Sequence, residues 1–351
     1  MHHPGIIDIA RKAGVGKSTA ARALSGTGAV SARTREKVMK AAEACKYRAN
    51  TAARTLRRGH SRLLGVVLPE SATPGFLSHA VSAQKLEGIA RGAKRLGYDL
   101  QVFLENLGDV EALHRLAIDK DVRGFFFLGH VEPTVLDLLK RYRIPWIAIN
   151  WRYADRLADP HCWTDFAHAG RTLTEHLISV GCRRVIVTDW LSAQYGPFGE
   201  HARAAWSAAG LPAADLILHR GREFQHGPAV ADAYARALDS ADRPDGIIAT
   251  FEGAAKQAYT LLQERGLRPG VDVAVATFDD LDTAANLAPA CTAYRQPLFD
   301  MAESAVGEMD RLLTSPRRAL TIARDLPGTL WVRDSTTLFN FNFNFNRRPQ
   351  P

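Results

Sequence analysis

The chain has 351 residues, 46% hydrophobic and 23% charged, with a formal net charge of +8. That length is enough for more than one domain with a substantial core. No apolar run approaches the ~18–20 residues that span a bilayer, so no membrane partner is expected. The opening MHHPGIIDIARKAG carries no secretory apolar stretch, which points to a cytoplasmic protein. Cys45, Cys162, Cys182 and Cys291 lie far apart and offer neither a zinc site nor a disulfide framework, so no metal and no cofactor are expected.

The charge is segregated. Residues 1–60 hold 13 lysines and arginines against three acids (Asp8, Glu36 and Glu43), a local +10 that leaves the remaining residues at −2. A compact basic head on a near-neutral body points to a polyanion partner, because phosphate contacts dominate nucleic-acid affinity.

In chain order, Ile6, Ile9, Ala10 and Ala13 recur at helical spacing, and Gly14-Val15-Gly16 interrupts them. A second helix follows over Lys17–Ser25, with Ala20, Ala23 and Leu24 inward. Gly26-Thr27-Gly28 ends it. Ser31 is placed to cap a third helix running to about Cys45, with Val38, Ala41, Ala42 and Cys45 as its apolar stripe. Asn50 is placed to cap a fourth over Thr51–Arg58, ended by Gly59. From Leu63 the texture changes. Apolar runs at 63–69, 98–104, 124–129, 144–150, 184–190, 216–221, 245–251 and 271–280 read as strands. Helix-like stretches lie between them at 85–97, 109–119, 134–142, 167–180, 199–210, 228–240 and 253–265, and 78–84 reads as an inserted loop. Such alternation predicts parallel sheets covered on both faces, and about ten strands fit two doubly wound lobes. Ligands in such sheets bind beyond the carboxyl ends of the strands. The closing TTLFNFNFNFNRRPQP alternates Phe339, Phe341, Phe343 and Phe345 with asparagine and reads as a disordered or sticky tail.

Asp8–Gly26 has the form of a helix-turn-helix, whose second helix enters the major groove. Lys17, Ser18, Ala21 and Arg22 fall on the exposed face near that helix's start. Arg22 can pair with a guanine edge, or else with a phosphate or solvent. Lys17 can donate to guanine or phosphate. Thr19 and Ser25 can reach phosphates. Gly14–Thr19 also looks like the end of a phosphate-binding loop, but that pattern needs a glycine where Arg11 stands and a preceding strand. The scattered histidines and acids form no triad or metal spacing, so an enzyme is not expected.

Three stretches together resemble the lactose/galactose-repressor (LacI/GalR) family of bacterial regulators: DIARKAGVGKSTAARALSG, VSARTREKVMKAAEACKYRANTAARTLRRG and SRLLGVVLP. The spacing matches without a gap over about 60 residues. The resemblance implies a hinge helix over Asn50–Arg57 that folds on the operator in the minor groove, with Leu56 as the wedging leucine and Ala53 on the same face. Gly16 and Ala21 stand where the family usually has serines, Lys46 where it has glycine and Ala49 where it has proline. The rest resembles the family's periplasmic-binding-protein-like effector domain, on GVVLP, VRGFFFLG, RIPWIAIN, AHAGRTLTEHLISVGCRRV, DGIIATF, GLRPGVDVAVATFDD and AYRQPLFDMAESAV.

The fold class so implied is an all-α helix-turn-helix head plus an α/β two-lobed periplasmic-binding-protein-like (type I) effector domain. The expected boundaries are 1–48 for the head, 49–61 for the hinge, 62–337 for the effector and dimerisation domain and 338–351 for the tail. By analogy Asp279 faces the cleft and accepts ligand hydroxyls or amines, Phe224 is a stacking aromatic, and Phe76 and Asp165 lie in loops that line the cleft. Two usual polar anchors are replaced, an arginine by Gly196 and an Asn-Asp pair by Phe251-Glu252. The resemblance therefore implies a transcriptional repressor, cytoplasmic and nucleoid-associated in a bacterium. It would bind a pseudo-palindromic double-stranded DNA operator as a homodimer or tetramer and respond to a small-molecule effector such as a sugar or sugar acid. The alternative is a regulator whose cleft has degenerated into a dimerisation platform.

Overall fold

The computed structural model describes residues 5–25, 29–45, 61–69, 80–105, 109, 111–112, 115, 121–152, 156, 158–189, 196–221, 228–314, 323–337 and 339. The chain divides into two compact units, Met1–Arg62 and Leu63–Pro351.

The first unit holds α1 (Ile6–Ala13), α2 (Lys17–Ser25) and α3 (Ala32–Ala44). Small apolar side chains let the three helices pack closely around Ile9, Ala20 and Val38, all fully buried. Gly14 ends α1 in the left-handed conformation (φ 66°), and its N–H bonds Ala10 and Arg11 carbonyls. A side chain there would be strained, which is why glycine suits the turn. Gly16 opens α2 without a side-chain cap, its carbonyl taking the Ala20 N–H at 2.9 Å. Ser31 caps α3, its Oγ accepting the Thr34 N–H at 3.2 Å.

The second unit contains two six-stranded sheets. Its first lobe is built on β1 (Leu63–Pro69), β2 (Asp99–Glu105), β3 (Phe125–Phe127), β4 (Trp146–Ile149), β5 (His161–Thr164) and β11 (Ala323–Leu326), in the order β11-β5-β4-β3-β1-β2 and parallel throughout. Helices α4 (Ala80–Leu96), α5 (Pro133–Arg141) and α11 (Leu298–Thr314) cover it. Strand alternation sorts the two faces. Phe125 and Phe127 pack with Val135 and Leu139, and Phe126 packs the other way with Ile89 and Met301. The α4–α11 contact is close, and a Cβ on Gly88 would lie 2.3 Å from the Phe299 carbonyl oxygen.

The second lobe is built on β6 (Val185–Asp189), β7 (Leu216–Arg220), β8 (Gly246–Ala249), β9 (Ala274–Phe278), β10 (Thr292–Arg295) and β12 (Thr329–Trp331). The order is β12-β10-β9-β8-β6-β7, with β12 antiparallel. Helices α6 (Phe166–Ser179) and α7 (Phe198–Ala208) lie on one face. Helices α8 (Pro228–Leu238), α9 (Glu252–Glu264) and the short α10 (Asp282–Asn286) lie on the other. The chain crosses between lobes three times, after β5, β10 and β11.

Several expectations need correction. Helix α4 starts at Ala80, so most of the supposed inserted loop is its first turn. Strands β5, β10, β11 and β12 were not expected, being three or four residues long and partly polar. Helix α11 was also missed. Phe339, expected in a free tail, is buried in the central apolar cluster at 7% exposure. The proposed fourth helix, most of the 109–119 stretch and the other tail phenylalanines fall outside the described residues. Among the described residues no helix is long and apolar enough to cross a membrane.

Candidate functional site

In the first unit, Lys17, Ser18 and Arg22 are exposed on α2 and Thr19 is half-buried. Ala21, expected on the same outer face, is turned inward at 9% exposure. Helix α2 packs on both α1 and α3, so its buried arc is wider than a single stripe. Lys17 and Ser18 stand at the helix N-terminus, where unpaired N–H groups favour anions. All eight lysines and arginines in residues 5–45 are exposed. Two acids meet bases within their own helices, Glu36 with Lys40 at 2.9 Å and Asp8 with Arg11 at 3.9 Å. The surface is therefore strongly cationic. The Ser25 side chain, Asn50, Ala53 and Leu56 lie outside the described residues.

In the second unit, the polar groups converge where the lobes meet. Asp279 follows β9 and Asn150 follows β4, at equivalent carboxyl ends in the two lobes. Both adopt left-handed backbone (φ 74° and 59°), which Asp and Asn tolerate best among residues with a side chain. Gln296, on the crossing after β10, joins them. Its Oε1 accepts from Asn150 Nδ2 at 3.0 Å and Thr164 Oγ1 at 2.7 Å, and its Nε2 donates to Asp279 Oδ1. Asn150 Oδ1 in turn accepts the Thr164 N–H at 3.1 Å. One amide thus ties two residues of the first lobe to a carboxylate of the second.

Burial pushes the Asp279 carboxyl up to about 7, with the Gln296 hydrogen bond opposing and the negative Glu252 adding to the rise. Across the gap, Lys85 of α4 is only 6% exposed, and burial pulls its ammonium down to about 8 against the attraction of Asp279. A cavity of about 500 Å³ opens beside the relay, with Gln84, Asp280, Arg295, Gln296 and Leu298 in its wall.

Beneath the relay an aromatic column binds the crossings together. Trp163 and Phe166 lie 4.8 Å apart, Phe166 stacks on Phe278 at 5.2 Å, and Phe278 stacks on Tyr294 at 5.8 Å. The Tyr294 hydroxyl accepts the Gly328 N–H at 2.6 Å and shares a hydrogen bond with His168 Nδ1 at 2.8 Å. The Asp165 N–H donates to the Leu326 carbonyl at 2.9 Å, tying the first crossing to the third.

The expected cleft residues separate. Asp279 sits in the relay. The Asp165 carboxylate caps α6, its Oδ1 accepting the His168 N–H at 2.8 Å. Phe76 and Phe224 lie outside the described residues. Gly196 lies in a turn before α7 at φ 120°. Phe251 is the N-cap of α9, and Glu252 is a structural anchor, its Oε1 accepting the Leu281 and Ala284 N–H groups at 2.7 and 3.0 Å. Sequence reasoning missed Lys85, Gln296, Asn150 and Thr164. For Lys85 the signal was present: it falls four residues before Ile89 and eight before Ala93, on an otherwise apolar helical stripe.

A cationic helix-turn-helix unit and a two-lobed α/β unit with a polar hinge define a DNA-binding transcriptional regulator with a ligand-binding-type body. Residues 5–50 match the family model for bacterial regulatory proteins of the lacI family, and residues 174–336 match that for the periplasmic binding protein-like domain. These two matches make the chain a LacI-type regulator of transcription rather than an enzyme. It is 25% identical to catabolite control protein A of Priestia megaterium, over 94% of this chain and 98% of that one. It is 26% identical to the ribose operon repressor of Escherichia coli K12, over 88% and 93%. The fold is shared with the lac repressor dimer bound to operator and the anti-inducer ONPF, at TM-score 0.75 and 20% identity, covering 95% of this chain and 99% of that one.

Proposed function

We propose that the protein is a cytoplasmic repressor that binds a pseudo-palindromic operator as a homodimer and releases or tightens its grip when a sugar or sugar acid enters the interlobe cleft. The observation that carries the effector response is the Gln296 relay. Its bonds join both lobes at one amide, so a ligand that competes for Asp279 changes how the lobes are held. The ribose operon repressor among the relatives, and solved family folds in complex with ribose and with cellobiose, support a polyol in such a cleft. Asp279 would accept its hydroxyls, with Phe76, Phe224 and Asp165 around it. In the head, Arg22 would read a guanine edge, and Lys17, Ser18, Thr19 and Ser25 would hold phosphates. Residues 49–61 would form the hinge, with Asn50, Ala53 and Leu56 toward the minor groove.

The test is operator binding by the full chain, first on genomic fragments at several salt concentrations and then with a panel of sugars and sugar acids. Arg22→Ala is expected to weaken sequence preference while leaving salt-dependent binding in place. At least one panel member is expected to change operator affinity. If none does, the degenerate platform replaces the sensor.

A further inference from the structure

Helix α4 lays Lys85, Ile89 and Ala93 along one stripe. Ile89 and Ala93 pack against β1 and β3 in the apolar cluster of the first lobe. Because α4 runs back from the carboxyl edge of that sheet, its N-terminal turns lie at the edge facing the cleft. Lys85 is one turn nearer that edge than Ile89. It is more than nine-tenths buried and, among the described residues, has no carboxylate within 4.0 Å and no hydrogen-bond partner. Its attraction to Asp279 acts across the gap without contact.

The nearby acids are already engaged. Asp279 Oδ1 takes the Gln296 amide, and Glu252 Oε1 takes two backbone N–H groups. Buried charges in proteins are ordinarily paired. An ammonium on a largely buried side chain, opposite Asp279 and without an ion-pair partner among the described residues, is arranged for a counter-ion that arrives from outside.

Resting on the reading of the cleft as a sensor, we propose that the effector is a polyol bearing an anionic group, a carboxylate or a phosphate monoester, and that Lys85 is the anchor for that group. Asp279 then takes hydroxyls at the other end. The two charges fix the ligand's direction, since reversing it would set its anion against Asp279 and leave Lys85 bare.

The experiment compares matched neutral and anionic ligands on the full chain by thermal shift and titration calorimetry: glucose, glucuronate and glucose 6-phosphate, with ribose, ribonate and ribose 5-phosphate. At least one anionic member is expected to bind about tenfold or more tighter than its neutral counterpart. The carboxylate and phosphate arms tell the two sources apart. Lys85→Met, which keeps the stem and loses the charge, is expected to bring that ratio close to one, and Lys85→Arg to preserve it. If neutral sugars bind as tightly as their anionic partners, or Lys85→Met leaves the ratio intact, the anchor is refuted while the sensor stands. If none of the six binds the wild-type chain, the sensor is refuted and the anchor falls with it.

Discussion

Replacing Lys85 by methionine has a consequence for stability that can be worked out from its burial. The ammonium titrates at 10.5 when solvated and at about 8 in the fold, with burial as the main cause. The folded pKa is below the unfolded one, so below pH 8 both states are protonated and the fold carries the full cost of a largely desolvated charge. Between pH 8 and 10.5 the folded state has released its proton while the unfolded state holds it, and stability rises with pH. Above 10.5 both are neutral and the cost is gone. That interval corresponds to a penalty on the order of 3 kcal/mol at pH 7. Methionine fills similar space and carries no such cost. Lys85→Met is therefore expected to raise the midpoint of thermal unfolding at pH 7 by on the order of 5 °C. The gain over wild type should shrink steadily from pH 8 to 10.5. Calorimetry of both proteins across that range is the assay. A variant no more stable than wild type at pH 7, or a gain that does not change with pH, would mean that Lys85 is paired or solvated, and the reasoning fails.

Asp279 predicts the opposite slope at lower pH. Its folded pKa of about 7 lies above the solvated 3.8, so stability falls as pH rises between those values. Asp279→Asn should remove that fall, as read by denaturant unfolding at pH 5 and pH 8. Gly88→Ala sets two effects against each other. In an exposed helix alanine would gain ~1 kcal/mol, but here the new Cβ meets a backbone carbonyl at 2.3 Å that no rotamer change can move. Overpacking should win, with a net loss of ~1–3 kcal/mol, and an increase in stability would show that α4 and α11 part easily.

Legibility from the sequence followed local signal strength. The head was readable because each device is local: Gly14 and Gly16 at the turn, Ser31 at a cap, Ile9, Ala20 and Val38 at helical spacing. Strands such as 185–189 and 274–278 were readable because burial on both faces makes them continuous apolar runs. His161–Thr164 is buried just as completely, yet its sequence HCWT carries no such run; its polar side chains are satisfied instead, His161 by the nearby Asp159 carbonyl and Thr164 by Gln296. The cleft followed the same divide. Asp279 was recognised by its place after a strong strand. Gln296, Asn150 and Thr164 were not, because their meeting depends on the residue after β4, the end of β5 and the crossing after β10 coming together from positions up to 146 residues apart.

The crossings also set an order of assembly. The first lobe is made from two stretches of chain, residues 63–164 and 298–326, with all of the second lobe except β12 strung between them. During synthesis β5 is therefore an open sheet edge until β11 is made, and the close α4 seam at Gly88 stays uncovered until α11 leaves the ribosome. An unpaired strand edge with apolar surface beside it is where chains aggregate or recruit chaperones. The three helices of the head, by contrast, pack on one another within about 40 residues and can fold as soon as they emerge. A nascent chain thus carries a folded nucleic-acid-binding unit well before its body closes, and any truncation short of residue 326 leaves that body without an edge strand.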